Sequence, residues 1–225
     1  MDPIIFDMQF VKALDIDVTA VLKQSLYGGG TVFEAAMKVK PIQVSQRDHL
    51  IHCAVVKTIV DRYRIANNDI VRFWKTCQNV LNRIVMRTPM TFGRDGLLYT
   101  TSNGIALLNG MSIQYHQLRK ENRNLRYLSN EKKKEYVDIY GGKCTENIVQ
   151  GLSRIVIGEQ MLTLAPDMRI VSTTHDEIIT IAREQDAEDT YDRMSEVMTI
   201  PPDWAPDLPL AAEGGFHECY GLCEK

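Results

Sequence analysis

Apolar residues recur three and four positions apart between His49 and Arg87: Ile51, Val55, Ile59 and Tyr63, then Ile70, Phe73, Trp74, Val80, Leu81 and Ile84. That period predicts two helices, divided at Asn67-Asn68-Asp69, where Asn68 or Asp69 can cap the second. After Pro89 the pattern shortens to strand-like pieces at Gly96 to Thr100, Ile105 to Leu108 and Met111 to Tyr115. Asn109-Gly110 between the last two is a strong hairpin signal. A helix is predicted from about Thr145 to Leu164, with Ile148, Leu152, Ile155, Val156 and Met161 on its apolar side. Met168 to Thr174 and Ile178 to Ile181 flank a polar point at His175-Asp176-Glu177, which predicts a second hairpin. A polar helix from Ala187 to Met198 and a tail with Pro201, Pro202, Pro206 and Pro209 close the chain. At the other end, apolar stretches around Ile4 to Phe6, Phe10 to Leu14 and Ala20 to Leu22 stop at Tyr27, where Gly28 to Gly30 break any helix.

The chain has 225 residues, 44% of them hydrophobic, enough for one sizeable core, alone or with a smaller lobe attached. The formal net charge of -3 lacks the basic excess of many nucleic-acid binders. An enzyme that confines positive charge to a cleft and places carboxylates there for metal has no need of a basic whole. Charge is concentrated locally instead. Between Arg119 and Lys134 lie seven basic residues (Arg119, Lys120, Arg123, Arg126, Lys132, Lys133, Lys134) against Glu121 and Glu131. Five scattered cysteines suit a reducing cytoplasm, and Cys219-x3-Cys223 with His217 has no second pair to complete a zinc site. No apolar run approaches the length of about 20 residues that spans a membrane, and the start has no basic leader region.

An acidic pair in the bend between two strands can hold a divalent cation beside a nucleic-acid end, because the strands fix the carboxylates and the turn exposes them. In two-metal phosphoryl transfer, carboxylates hold ions about 4 Å apart, one at the attacking oxygen and one at the leaving group. Asp176 is the candidate ligand, with Glu177 beside it and His175 placed to orient a neighbouring group or a primer phosphate. Taken alone, such a dipeptide is an ordinary solvated turn.

Further motifs change that. Ser172 to Ile181, with His175-Asp176-Glu177 at its centre, resembles the third signature hairpin of family A DNA polymerases. Tyr140-Gly141-Gly142-Lys143 through Gln150, followed by Arg154, is similar to the helix preceding that hairpin in phage-type members. Tyr63-Arg64 with Ile70 to Lys75, Leu108 to Tyr115, and the tail from Pro202 to Glu213 also resemble that family in order and spacing. The resemblance implies an α+β fold: a palm-type antiparallel sheet carrying the hairpin, helices Glu146 to Leu164 and His49 to Arg87 over one face, and a truncated fingers remnant. Residues 1–47 would be that remnant and residues 48–225 the palm. It implies further that Asp176 binds catalytic Mg2+ with Glu177, that His175 lies near the primer terminus, and that Tyr27, Lys143, Gln150 and Arg154 face DNA. Its substrates would be primer-template DNA and deoxynucleoside triphosphates.

The same resemblance exposes what is missing. The first metal-binding aspartate of the family has no room ahead of Tyr27, and Asp7 only imitates a strand followed by an acid. The fingers lysine falls on Thr19, the aromatic on Lys23, and an arginine on Asp15, which removes charge and stacking from a nucleotide site. Two accounts follow. Either a second polypeptide completes a split polymerase that this chain cannot run alone, or the chain is an inactive palm remnant kept as a DNA-binding or interaction module. A metal-dependent nuclease would need a second carboxylate cluster with its own base, and no such spacing occurs.

Overall fold

The computed structural model describes residues 3–10 as a backbone strand, and residues 60–130 and 135–223 in full. The chain folds as α+β, with antiparallel sheets and, among the described residues, three full helices besides the helical residues 60–66. Residues 60–66 are helical and lead into α1, Asn68–Val85. The division falls at Asn67, as the polar run predicts, but the cap differs. Neither Asn68 nor Asp69 caps α1; Asn67 folds back and its Nδ2 donates to the Tyr63 carbonyl at 2.9 Å, while Asp69 pairs with Arg72. Cys77, Val80, Leu81 and Ile84 form the buried stripe of α1.

Six short strands follow: β2 Thr91–Phe92, β3 Leu98–Thr100, β4 Gly104–Ala106, β5 Ser112–Gln114, β6 Arg119–Glu121 and β7 Asn124–Leu128. With β8, Tyr136–Ile139, they make two small sheets, β2-β3-β4-β5 and β6-β7-β8. The expected Asn109-Gly110 hairpin joins β4 to β5, with Ile105 opposite Ile113. Gly110 takes φ +82°, and Asn109 Oδ1 accepts the Met111 N–H at 3.2 Å, so both turn residues do what their chemistry favours.

Helix α2, Gly141–Leu164, starts ahead of the predicted Thr145. Gly141 lies against α1, where a Cβ would sit 2.0 Å from the Trp74 carbonyl oxygen. Gln78 of α1 accepts the Gly141 N–H at 2.9 Å and satisfies one open donor of the helix start. The N-terminal part of α2 contributes Cys144, Ile148 and Ile155 to a core shared with α1 and the small sheets. Its C-terminal part contributes Ile157 and Leu164 to a second core.

That second core belongs to the sheet of β9, Arg169–Thr174, and β10, Glu177–Arg183. Helix α3, Ala187–Thr199, covers this sheet with Met194, Val197 and Met198, which meet Ile178 of β10. The covering layer therefore differs from expectation: α1 packs on α2 and β3 in the first core, and α3 takes the place beside the hairpin sheet. The sheet order is β11-β1-β10-β9, where β1 is Pro3–Phe10 and β11 is Ala212–His217. The expected fingers remnant spanned residues 1–47. Residues 3–10 of it lie in the hairpin's own sheet, and residues 11–47 fall outside the described residues. The proline-rich tail runs back over the body before β11. Trp204 Nε1 donates to the Glu159 carboxylate of α2 at 3.2 Å, and Asp207 receives both ends of the Arg94 guanidinium.

Candidate functional site

The β9–β10 hairpin closes over two residues, His175 and Asp176, with Thr174 opposite Glu177. His175 takes φ +55°, in the left-handed region that glycine enters freely and that histidine enters more often than most other side chains. Holding a non-glycine residue there costs roughly 1–2 kcal/mol. Arg87, Asp95, Gln117 and Asn122 take the same conformation elsewhere among the described residues. His175 is exposed and Asp176 is partly exposed, so both are reachable from solvent at the tip.

Glu177 is different. The sequence reads it as part of an exposed acidic pair, yet it begins β10 and is only 3% exposed. A buried carboxylate needs a donor. Tyr220 supplies one, its Oη–H reaching Glu177 Oε2 at 2.9 Å from the one-turn helix Tyr220–Leu222 that follows β11. Behind the tip the hairpin is stiffened. Its register shifts between Ile179 and Thr180, and Thr180, fully buried, donates from Oγ1 to the Arg169 carbonyl at 2.6 Å.

β1 runs antiparallel to β10 with Gln9 opposite Glu177 and Asp7 opposite Ile179. Ile179 lies three positions beyond Asp176, so at about 3.3 Å per residue the Asp7 backbone sits roughly 10 Å along the strand from the tip. Tyr27, Asp15, Thr19 and Lys23 fall outside the described residues.

On α2, Lys143, Gln150 and Arg154 follow one another at spacings of seven and four and share a face with Asn147. Gln150 and Arg154 are exposed, as a surface for DNA requires. Lys143 is half-exposed and already paired with Glu146 at 2.9 Å, while Asn147 is engaged with Tyr115 Oη at 3.2 Å. The basic strip is partly consumed internally. Arg126 is held by Glu121, the Tyr136 carbonyl and Asp138, whose Oδ1 lies 3.1 Å from Nε as an ion pair without hydrogen-bond alignment. Arg119 stacks 3.8 Å over the Tyr136 ring. Lys120 and Arg123 stay exposed with no ion pair among the described residues.

No family model matches the chain. Over 175 residues it is 27% identical to the DNA polymerase of Bacillus phage SP02, a match covering 72% of this chain and 26% of the phage protein. The chain is related to a phage DNA polymerase. It spans only about a quarter of that relative's length.

For a polymerase-related chain, the donor set at the tip is informative. Among the described residues no group of three or more His, Cys, Asp or Glu side chains could enclose a metal ion. Mg2+, however, keeps several waters and is commonly held by one or two carboxylates together with substrate phosphates. Asp176 and Glu177 are adjacent carboxylates at the hairpin tip, the number of protein ligands such a partial site uses. Tyr220 itself was not legible as a site residue, because its segment reads only as a broken Cys219-x3-Cys223 pattern. Buried Cys77 and Cys144 were also unanticipated neighbours. The Cys77 thiol beside it, together with burial, pushes the Cys144 thiol well above its ordinary range and keeps it protonated.

Proposed function

We propose that the chain is the palm part of a phage-type family A DNA polymerase, which adds deoxynucleotides to a primer 3′ end on a template. A second polypeptide would supply the thumb, the fingers and the first carboxylate. The observation that carries this reading is the hairpin tip, where a reachable Asp176 adjoins a buried, hydrogen-bonded Glu177, in a chain similar over 72% of its length to a phage DNA polymerase. Glu177 is the first residue of β10, an inner strand of its sheet, and its carboxylate is buried beside the turn.

In this reading Asp176 and Glu177 would hold Mg2+, which would supply positive charge to the developing charge of phosphoryl transfer. His175, fixed at the tip, positions the primer end. Gln150 and Arg154 on the exposed face of α2 contact the duplex, Gln150 at base edges and Arg154 at phosphate. Lys143 joins them once released from Glu146. Phosphate contacts of this kind weaken as salt rises. β1 already occupies the place beside β10, so the partner's carboxylate enters from outside this sheet or by replacing β1, unless Asp7 serves in its stead.

The test is extension of a recessed primer with Mg2+ and deoxynucleoside triphosphates, by this chain alone and with the polypeptide encoded immediately upstream. Extension in the mixture only is the expected result. A second reading, an inactive palm retained to bind DNA, is favoured by Asp15, Thr19 and Lys23 where nucleotide contacts belong. No extension in either reaction, with duplex DNA still bound, would establish it.

A further inference from the structure

Glu177 and Tyr220 are separated by 43 residues, and the hydrogen bond between them links the candidate tip to the last turn of the described chain. We infer that Tyr220 is a positioning residue for the tip: its hydroxyl fixes one oxygen of Glu177 and so presents the other to a divalent cation shared with Asp176. This inference rests on the proposed metal site and adds to it a residue outside the hairpin.

Three observations support it. Glu177 is 3% exposed, so its carboxylate cannot be oriented by bulk water and takes its geometry from protein donors. Oε2 is the oxygen that accepts from Tyr220 Oη, so one of the two carboxylate oxygens is fixed by a named donor. The Tyr220 side chain remains 42% exposed, although a residue serving only to fill the core would be covered. Its backbone is held independently of the tip. β11 pairs with β1, Cys219 N–H donates to His217 Nδ1 at 3.2 Å, and Leu222 N–H donates to the Cys219 carbonyl at 2.9 Å. The hydroxyl therefore approaches Glu177 from a scaffold two strands away from β10. A donor anchored in that way restricts carboxylate rotation, which is what a ligand oxygen needs from its supporting residues.

The experiment titrates Mg2+ into the full chain with primer-template duplex by calorimetry, comparing the unsubstituted protein, Tyr220→Phe, Glu177→Gln and the double variant. Tyr220→Phe keeps the ring and removes only the hydroxyl. Its Mg2+ midpoint is expected to rise about tenfold, the size of a lost hydrogen bond to a charged group. In the Glu177→Gln background the same change should add nothing, because the two residues act through one carboxylate. Leu222→Ala, which loosens the same turn without touching the hydroxyl, should leave the midpoint in place. An unchanged midpoint in Tyr220→Phe, or an equal shift in the Glu177→Gln background, overturns the role of Tyr220 while leaving the metal site standing. Absence of any Mg2+ response in the unsubstituted chain overturns the metal site, and this inference with it.

Discussion

Two hairpins of this chain solve the same topological problem with opposite chemistry. Between β4 and β5, Asn109 and Gly110 supply the side-chain acceptor and the left-handed backbone that the turn requires, and nothing there is strained. Between β9 and β10, a histidine takes the left-handed conformation and the next acid along is buried with a tyrosine from another element. The first hairpin follows the local rules and the second breaks two of them. Left-handed backbone alone does not set the second hairpin apart, since Arg87, Asp95, Gln117 and Asn122 share it; its coincidence with a buried, hydrogen-bonded acid is what motivates the proposed site.

The comparison can be broken most forcefully at Asp176. In the reconstituted extension reaction Asp176→Ala is expected to lower the rate at least about 100-fold, the scale of removing one charge-stabilising group, with the thermal midpoint nearly unchanged. Gly110→Ala should do the reverse. No atom would meet its Cβ, so the cost is backbone strain alone, about 1 kcal/mol, or a fall in Tm of roughly 2–4 °C, at unchanged extension. His175→Gly should stabilise the chain by about 0.5 kcal/mol, since relief of the left-handed strain exceeds the added freedom of glycine in the unfolded chain. It should slow extension at the same time. A loss of stability would show that His175 holds the turn rather than working at it.

The smallest effect concerns the tail. Arg94 holds the Asp207 carboxyl down at about 2. A depressed folded-state pKa contributes stability above the ordinary carboxyl value and loses it as pH falls toward 2. The pair is fully exposed, so the contribution is slight. Urea midpoints between pH 5 and pH 2 should fall marginally less steeply in Asp207→Asn than in the unsubstituted chain.

What was legible in the sequence divides along the same line. The periodic helix after Ala187, the Asn109-Gly110 turn and the division at Asn67 all follow from local pattern, and the structure places them where the pattern does. Features set by distant partners were not legible. The local pattern starts the helix near Thr145, but Trp74 and Gln78 on another helix accommodate Gly141 and move the start back to it. β11 contains Gly214 and Gly215 and lacks apolar alternation, so it becomes a strand only by pairing with β1 at the far end of the chain. For the candidate site, the His175-Asp176-Glu177 hairpin was visible in order and position. The burial of Glu177 was not, because its donor lies beyond β11 and nothing near Glu177 in sequence announces it.

The most direct test of the account places Asp176→Ala and Gly110→Ala side by side in Mg2+-dependent primer extension with the upstream polypeptide, each with its melting curve. A crossed result is expected: Asp176→Ala loses extension and keeps its Tm, while Gly110→Ala keeps extension and loses Tm. If extension follows stability in both variants, the His175-Asp176 tip is a turn like the other, and the central claim is wrong.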